Sequence, residues 1–279
     1  MFPRRLVACF LLAAAGAGCA QAPRPVVAPP AAASAALDSA GLAGPFVRAL
    51  VARARAAHTL RGRAEIALSA ADWEGSTQAE AAILAEAPGR LRLRAYAGPV
   101  TAFDLVARDG RFWAYVPDRH EVWSGPADAL ERRLGFPVRA DDLVDVLLGR
   151  PFGPPDAARL VSLDADRAVL AWDVPRGGSV RATVRRLDGA ALSYEWTRDG
   201  RTLAVLRADD FVREPSGLWP RRLSLRWTEP EASLRLTFRE QQLNRDLPGG
   251  SFEPLAPPGV AQIDLSAAPD SGSAWERAR

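Results

Sequence analysis

After the first sixty residues, apolar and polar positions take turns along much of the chain. Arg90-Leu91-Arg92-Leu93-Arg94 alternates without a break, which places leucine on one face of an extended segment and arginine on the other. The same period of two recurs at Ala64/Ile66/Leu68, Phe103/Leu105, Phe112/Ala114/Val116 and Val180/Ala182/Val184. It returns at Leu192/Tyr194/Trp196, Leu223/Leu225/Trp227 and Leu234/Leu236/Phe238. Turn pairs separate these runs: Pro88-Gly89, Asp109-Gly110, Gly177-Gly178, Asp188-Gly189, Asp199-Gly200 and Ser216-Gly217. The pattern predicts about ten or eleven short strands in an antiparallel meander. Each strand has one apolar face, so the sheet must curl around something or be covered by helices.

Helical periodicity appears in two places. In Pro45-Phe46-Val47-Arg48-Ala49-Leu50-Val51, continuing to His58, the apolar Phe46, Val47, Leu50, Val51, Ala54 and Ala57 share a face. Arg48, Arg53 and Arg55 are expected off that face, with Pro45 at the helix start. Midway along the chain, Pro126–Leu134 reads as one helix ending at Gly135, and Asp141–Leu148 as a second ending at Gly149. Asp141 or Asp142 is the expected cap. Leu143, Val144, Val146, Leu147 and Leu148 make the second helix apolar nearly all round, which predicts insertion into an apolar space.

The first eighteen residues follow another pattern. Arg4 and Arg5 precede an apolar run, Leu6–Ala15, and then small residues lead to Cys19. That is an export leader, too short to span a bilayer. Ala15-Gly16-Ala17 allows an ordinary cut before Gly18, whereas Gly16-Ala17-Gly18-Cys19 fits a lipoprotein signal with lipidation at Cys19. The expected organisation is a signal peptide (1–18), a lipidated cysteine with a Pro/Ala-rich tether (19–44), a folded domain (45–265) and a disordered tail (266–279). Once the leader and its Cys9 depart, Cys19 is the only cysteine. The domain then has no disulfide and depends on its core.

Composition narrows the functional classes. With 48% apolar residues, one large core is affordable. The formal charge of +3 falls near +1 without Arg4 and Arg5, and arginines alternate with acids without a basic block, so nucleic acid is not expected as a partner. His58 at a helix end and His120 in a turn fit no metal-ligand spacing. No G-x-S-x-G and no phosphate-binding glycine loop is present, and Asp141-Asp142 and Asp209-Asp210 are adjacent acids that point apart. No catalytic residue, metal or cofactor is expected. Trp113, Trp123, Trp172, Trp196, Trp219 and Trp227 lie on or beside strands, where they either pack a core or line a cavity for an apolar ligand.

Gly135-Phe136-Pro137, Leu143 and Leu148-Gly149-Arg150-Pro151 follow the pattern G-x-P-x5-L-x4-L-G-x-P. With Gly89–Leu93, Gly98-Pro99, Ser193–Trp196, Arg201–Leu203, Leu218–Leu223 and Leu234–Leu236, this order of segments resembles the bacterial lipoprotein receptor LolB and its carrier relative LolA. Asn244, Leu247-Pro248 and Phe252-Glu253-Pro254 are more similar to a LolA-type ending. Val146 stands where the receptor's helix commonly has tryptophan.

The resemblance implies a mainly β fold, an incomplete antiparallel barrel of about eleven strands with covering helices, which holds acyl chains against its concave face. It implies a lining of Leu91, Leu93, Phe103, Leu105, Phe112, Trp123, Leu143, Val146, Leu147, Trp172, Trp196, Leu203, Leu225 and Leu236. Val100, in Ala97-Gly98-Pro99-Val100-Thr101, is the implied membrane-facing residue. The expected protein is a monomer on the periplasmic face of the outer membrane, anchored through Cys19. Its implied partners are acyl chains of lipoproteins or other lipids and a periplasmic lipoprotein carrier. Two alternatives stay open: an envelope assembly or other lipid-binding module on the same fold, and a hydrolase with an unrecognised site.

Overall fold

Period-two segments joined by tight turns pair with their neighbours in sequence, and here they do so twice. The computed structural model describes residues 39–70, 76–129, 139–150, 152–153, 155, 157–175, 177–215, 217–229 and 231–266. The leader, Cys19, most of the tether, the tail after Ser266, residues 130–138 with Gly135-Phe136-Pro137, and Pro151 lie outside the described residues. Of the helix expected over Pro126–Leu134, Pro126 instead ends a strand and Leu130–Leu134 fall in that gap.

One arm of the sheet is β1 (Thr59–Ala70), β2 (Thr77–Glu86), β3 (Arg90–Ala97), β4 (Val100–Arg108), β5 (Arg111–Val116) and β6 (Glu121–Pro126). The other is β7 (Arg159–Leu163), β8 (Arg167–Asp173), β9 (Ser179–Arg185), β10 (Ala191–Arg198), β11 (Arg201–Glu214), β12 (Gly217–Thr228) and β13 (Glu231–Leu243). Both arms are antiparallel meanders, and β1 pairs with β13 so that Ile66 faces Leu236 and Leu68 faces Leu234. A last strand, β14 (Ala261–Asp264), runs parallel to β6.

The order is β14-β6-β5-β4-β3-β2-β1-β13-β12-β11-β10-β9-β8-β7, one curved sheet left open between β14 and β7. Among the described residues there are thus fourteen strands rather than about eleven. The eight alternating runs became β1, β3, β4, β5, β9, β10, β12 and β13, and their inward residues from both arms merge into one core. The turn pairs Pro88-Gly89, Asp109-Gly110, Gly177-Gly178, Asp188-Gly189 and Asp199-Gly200 sit where strands reverse; Ser216 lies outside the described residues. Asp109-Gly110 and Asp199-Gly200 both have positive φ at the two central residues, the geometry that matches strand twist.

Between β13 and β14, residues 244–260 cross the outside of the first arm as a strap. Asn244 starts it. Its Oδ1 accepts from His58 N (3.0 Å), its Nδ2 donates to Ala56 O (2.6 Å), and its φ of 56° is one that asparagine tolerates. Farther on, Arg92 Nη1 donates to Ser251 O (3.1 Å), and Phe252 is buried with the Arg90 guanidinium 5.6 Å from its ring. The arginine face of β3 is therefore partly covered, with an open cleft of about 510 Å³ left beside Arg92 and Arg94. Arg92 and Arg94 both close on the buried Asp104 carboxylate, at 2.7 and 2.6 Å.

Helix α1 (Ser39–Ala56) packs on β7 and β8 near the open edge. It begins before Pro45, which lies inside rather than at the start, so residues 39–44, expected in the tether, are helical. Proline's lost N–H costs one hydrogen bond to the preceding turn and does not end the helix.

Helix α2 (Ala140–Leu147) packs against β2 and β3. It starts at Ala140, with Arg139 as an uncapped N-cap residue, so neither Asp141 nor Asp142 caps it. Both fall in the first turn, where a negative charge favours the helix dipole. The helix ends in a Schellman turn: Gly149 N donates to Val146 O (3.2 Å) and Arg150 N to Asp145 O (2.8 Å), with Gly149 at φ 72°.

Candidate functional site

Helix α2 lies across the inner side of the curved sheet and reaches both arms. At its start there is no room on Gly89, in the β2–β3 turn, for a side chain: a Cβ would stand 2.5 Å from Asp141 Oδ1. At its end Gly149 lies on the Trp219 ring of β12. Ala140, Leu143, Val144, Val146, Leu147 and Leu148 are all buried, so the apolar helix is inserted in the core as its composition predicts.

The interior beneath it is nearly full. Among the described residues, the cavity bounded by Val146 and Leu147 is about 20 Å³, enough for roughly one water. Val146 and Leu147 form part of its wall, with Leu206 and Trp219 opposite. A second space, about 140 Å³, lies beside Asp142 and Asp145, where Phe152 stacks on Trp196 with ring centres 5.9 Å apart.

Of the residues implied as lining, Leu91, Leu105, Phe112, Trp123, Leu143, Val146, Leu147, Trp172, Leu225 and Leu236 are buried together in this core. Leu93, Phe103 and Trp196 are half-buried against it. Leu203 does not join them. It is one residue out of phase with the buried Ala204 and Leu206, so it faces the other side of the sheet. Of the strand tryptophans, Trp123, Trp172, Trp196, Trp219 and Trp227 turn inward. Trp113 faces outward, between the Arg108 and Arg111 guanidinium groups. Val100 opens β4 at the tip of the β3–β4 hairpin and is 62% exposed.

Three polar groups in the cavity wall were not expected there, and one of them, Arg53, overturns its expected place off the apolar face. Arg53 of α1 points inward, three residues after Leu50 and four before Ala57 on the same helical face. Its guanidinium lies over the rings of Trp219 (5.1 Å) and Phe211 (5.7 Å). Burial lowers its pKa, and Tyr194 and Asp188 offset part of that. Tyr194 is buried edge-on to Trp172, with centroids 6.3 Å apart. Gln241 has a buried Nε2 with no hydrogen-bond partner. The helical spacing could have revealed Arg53; nothing in the local pattern marks Gln241.

Two outcomes follow. Gly149→Ala adds a Cβ at 2.9 Å from Trp219 Cζ3 and forces an L-residue to φ 72°. The backbone alone costs about 1–2 kcal/mol, and the ring contact should bring the loss in urea unfolding to roughly 2–3 kcal/mol, with a changed tryptophan emission. The second outcome concerns alkaline pH. Burial pushes the Tyr194 phenol from 10.0 up to about 12, with the Arg53 charge pulling the other way. Between those values the folded chain keeps a proton that the unfolded chain has lost, so stability falls as pH rises through the window. The total is about 2–3 kcal/mol. Melting temperatures across that range should show this decline in the native chain, and Tyr194→Phe should remove it.

No protein-family sequence profile and no curated protein sequence matches the chain. Solved structures do. A DUF1329 family protein from Desulfovibrio piger ATCC 29098 superposes with a TM-score of 0.56 at 9% identity, over 75% of this chain and 96% of that one. A LolA superfamily protein from Nitrosomonas europaea superposes at 0.51 and 15% identity, again over 75% and 96%. At such identities the likeness concerns the path of the backbone. In that sense this chain, an open, curled, mainly antiparallel sheet, has a LolA-like fold.

Proposed function

We propose that this chain is a lipid-binding protein of the bacterial envelope that accepts acyl chains, foremost those of lipoproteins, in place of α2 on the inner face of its sheet. The observation that carries the reading is the plug itself. Leu143, Val144, Val146, Leu147 and Leu148 are at most 8% exposed, and what holds them is non-directional burial. Withdrawing five such side chains costs about 10 kcal/mol. A sixteen-carbon chain laid in their place returns a similar amount at about 0.8 kcal/mol per CH₂. Plug and ligand are therefore close competitors, the balance that a protein needs if it must both take up and release its cargo.

The remaining parts of the proposal come from the sequence. Lipidation at Cys19 would tether the domain to the outer membrane's periplasmic face, and the exposed Val100 tip would meet lipid. The protein acts by binding and transfer, without covalent chemistry.

The 20 Å³ cavity favours one rival, an envelope assembly module on this fold whose interior is filled by its own side chains. Titrating the delipidated full chain with a fluorescent fatty acid separates the two. Saturable uptake at micromolar concentration or tighter is expected. No uptake would overturn the acyl-carrier reading and leave the filled module.

A further inference from the structure

Arg53, Tyr194 and Gln241 line one small cavity whose other walls are apolar, and all three present hydrogen-bond donors to it. Gln241 Nε2 is buried and unpartnered. Among the described residues the Arg53 guanidinium has ring faces for neighbours and no side-chain hydrogen-bond partner, and it is half-buried rather than sealed from water. The acid that acts on it electrostatically, Asp188, is already taken: Arg185 Nε and Nη2 donate to its carboxylate at 2.9 and 2.7 Å. Arginine does not shed its proton in proteins, so the charge remains. A half-buried cation and a buried, unpartnered amide nitrogen that share one largely apolar cavity describe a site able to take an anion.

We propose that Arg53 and Gln241, with the Tyr194 hydroxyl beside them, anchor the oxyanion head of an acyl ligand, a carboxylate or a phosphate. The inference rests on the acyl-chain reading above and extends it from tail to head. As it stands the cavity holds roughly one water, so a carboxylate or phosphate head enters only as its wall of Val146 and Leu147, part of the α2 plug that the tail would displace, moves away. Head and tail sites are thus adjacent, and a ligand reaching from one into the other would satisfy the donors and refill the apolar space together.

The test compares three ligands on the full chain, below their aggregation concentrations: palmitate, a monoacyl glycerol phosphate, and hexadecanol as a neutral tail of equal length. Displacement of a fluorescent fatty acid should show at least one of the anionic ligands binding about tenfold tighter than hexadecanol, the scale of one charge-assisted hydrogen bond. Preference for palmitate assigns a free carboxylate, and preference for the phosphate assigns a phospholipid head. Arg53→Met, which keeps the length of the stem, should bring the ratio to within about twofold of one. Gln241→Leu should lower it in part and serves if the first variant does not fold. Equal affinities in the native chain, or a preference that survives Arg53→Met, overturn the anchor and leave the acyl cavity standing. Failure of all three ligands to bind overturns both.

Discussion

Asp104→Asn should destabilise the fold by about 3 kcal/mol, an expected fall in melting temperature of roughly 6–12 °C. The Asp104 side chain is wholly buried, and its two oxygens accept four hydrogen bonds, from Nε and Nη2 of both Arg92 and Arg94, at 2.6–3.0 Å. The asparagine amide fits the same volume, so no cavity complicates the result. It leaves two guanidinium groups facing each other with no countercharge, under a strap that limits access of water. Removing one partner of a buried ion cluster costs several kcal/mol, because the remaining charges stay desolvated. Residual exposure of Arg92 (16%) and Arg94 (32%) keeps the expectation at the lower end of that range. Because Arg92 also donates to Ser251 O, the strap should loosen before the sheet does, giving earlier proteolysis within 244–260. Replacing all three residues by apolar ones of similar size should recover much of the loss, since an apolar cluster needs no countercharge. A loss under about 1 kcal/mol for the single change would mean that water screens the cluster after all.

The same three residues show what the pattern of positions conveys and what it does not. Alternation at Arg90–Arg94 correctly separates an apolar from a cationic face, because that separation is local to the strand. It does not say what covers the cationic face. The strap does so from more than 150 positions away, and Asp104 gives no sign in its own neighbourhood of being the countercharge. Strands became legible where apolar residues alternate with charged ones. They blurred where alanine fills both faces, as in β2 with Ala79, Ala81, Ala82 and Ala85. The four-residue β14 owes its existence to β6, well over a hundred residues earlier, rather than to any periodicity. The plug helix was legible because five of its eight residues are apolar and buried, although Asp141, Asp142 and Asp145 give it a polar face that the reading as apolar nearly all round passed over. How much space it leaves was not, since a filled interior and an open one demand the same inward side chains. Arg53 was assigned by its charge to the outer face, although its spacing from Leu50 and Ala57 placed it within. At that position spacing was the better guide, and the cost of burying the charge is what makes it informative.

Two glutamate substitutions in α2 should therefore behave differently, although both put a carboxylate into the core. Leu143 is 8% exposed on a helix packed against β2 and β3, whose buried residues are Ala81, Ile83, Ala85, Leu91 and Ala95. A carboxylate there has apolar neighbours on the sheet side, and leaving it buried costs several kcal/mol. The short α2 can escape that cost by undocking, while the sheet, held by its own ladder, stays folded. A bias of about 3 kcal/mol toward the undocked state raises its population roughly a hundredfold. Leu143→Glu should therefore bind apolar dyes strongly, lose hydrogen-exchange protection in α2 and take up fatty acid faster, with the β-sheet circular dichroism unchanged. Leu147, by contrast, shares the cavity wall with Arg53. Glutamate at 147 can meet that guanidinium, giving the cation the acceptor it lacks, and the helix should stay docked. Fatty-acid uptake in Leu147→Glu should fall below the native level, because the new pair fastens the plug. Combining it with Arg53→Met removes the counter-ion and should convert the blocked protein into an open one. Equal behaviour of the two glutamates would show that α2 does not gate the interior, since the presence or absence of Arg53 beside the new charge is what distinguishes them.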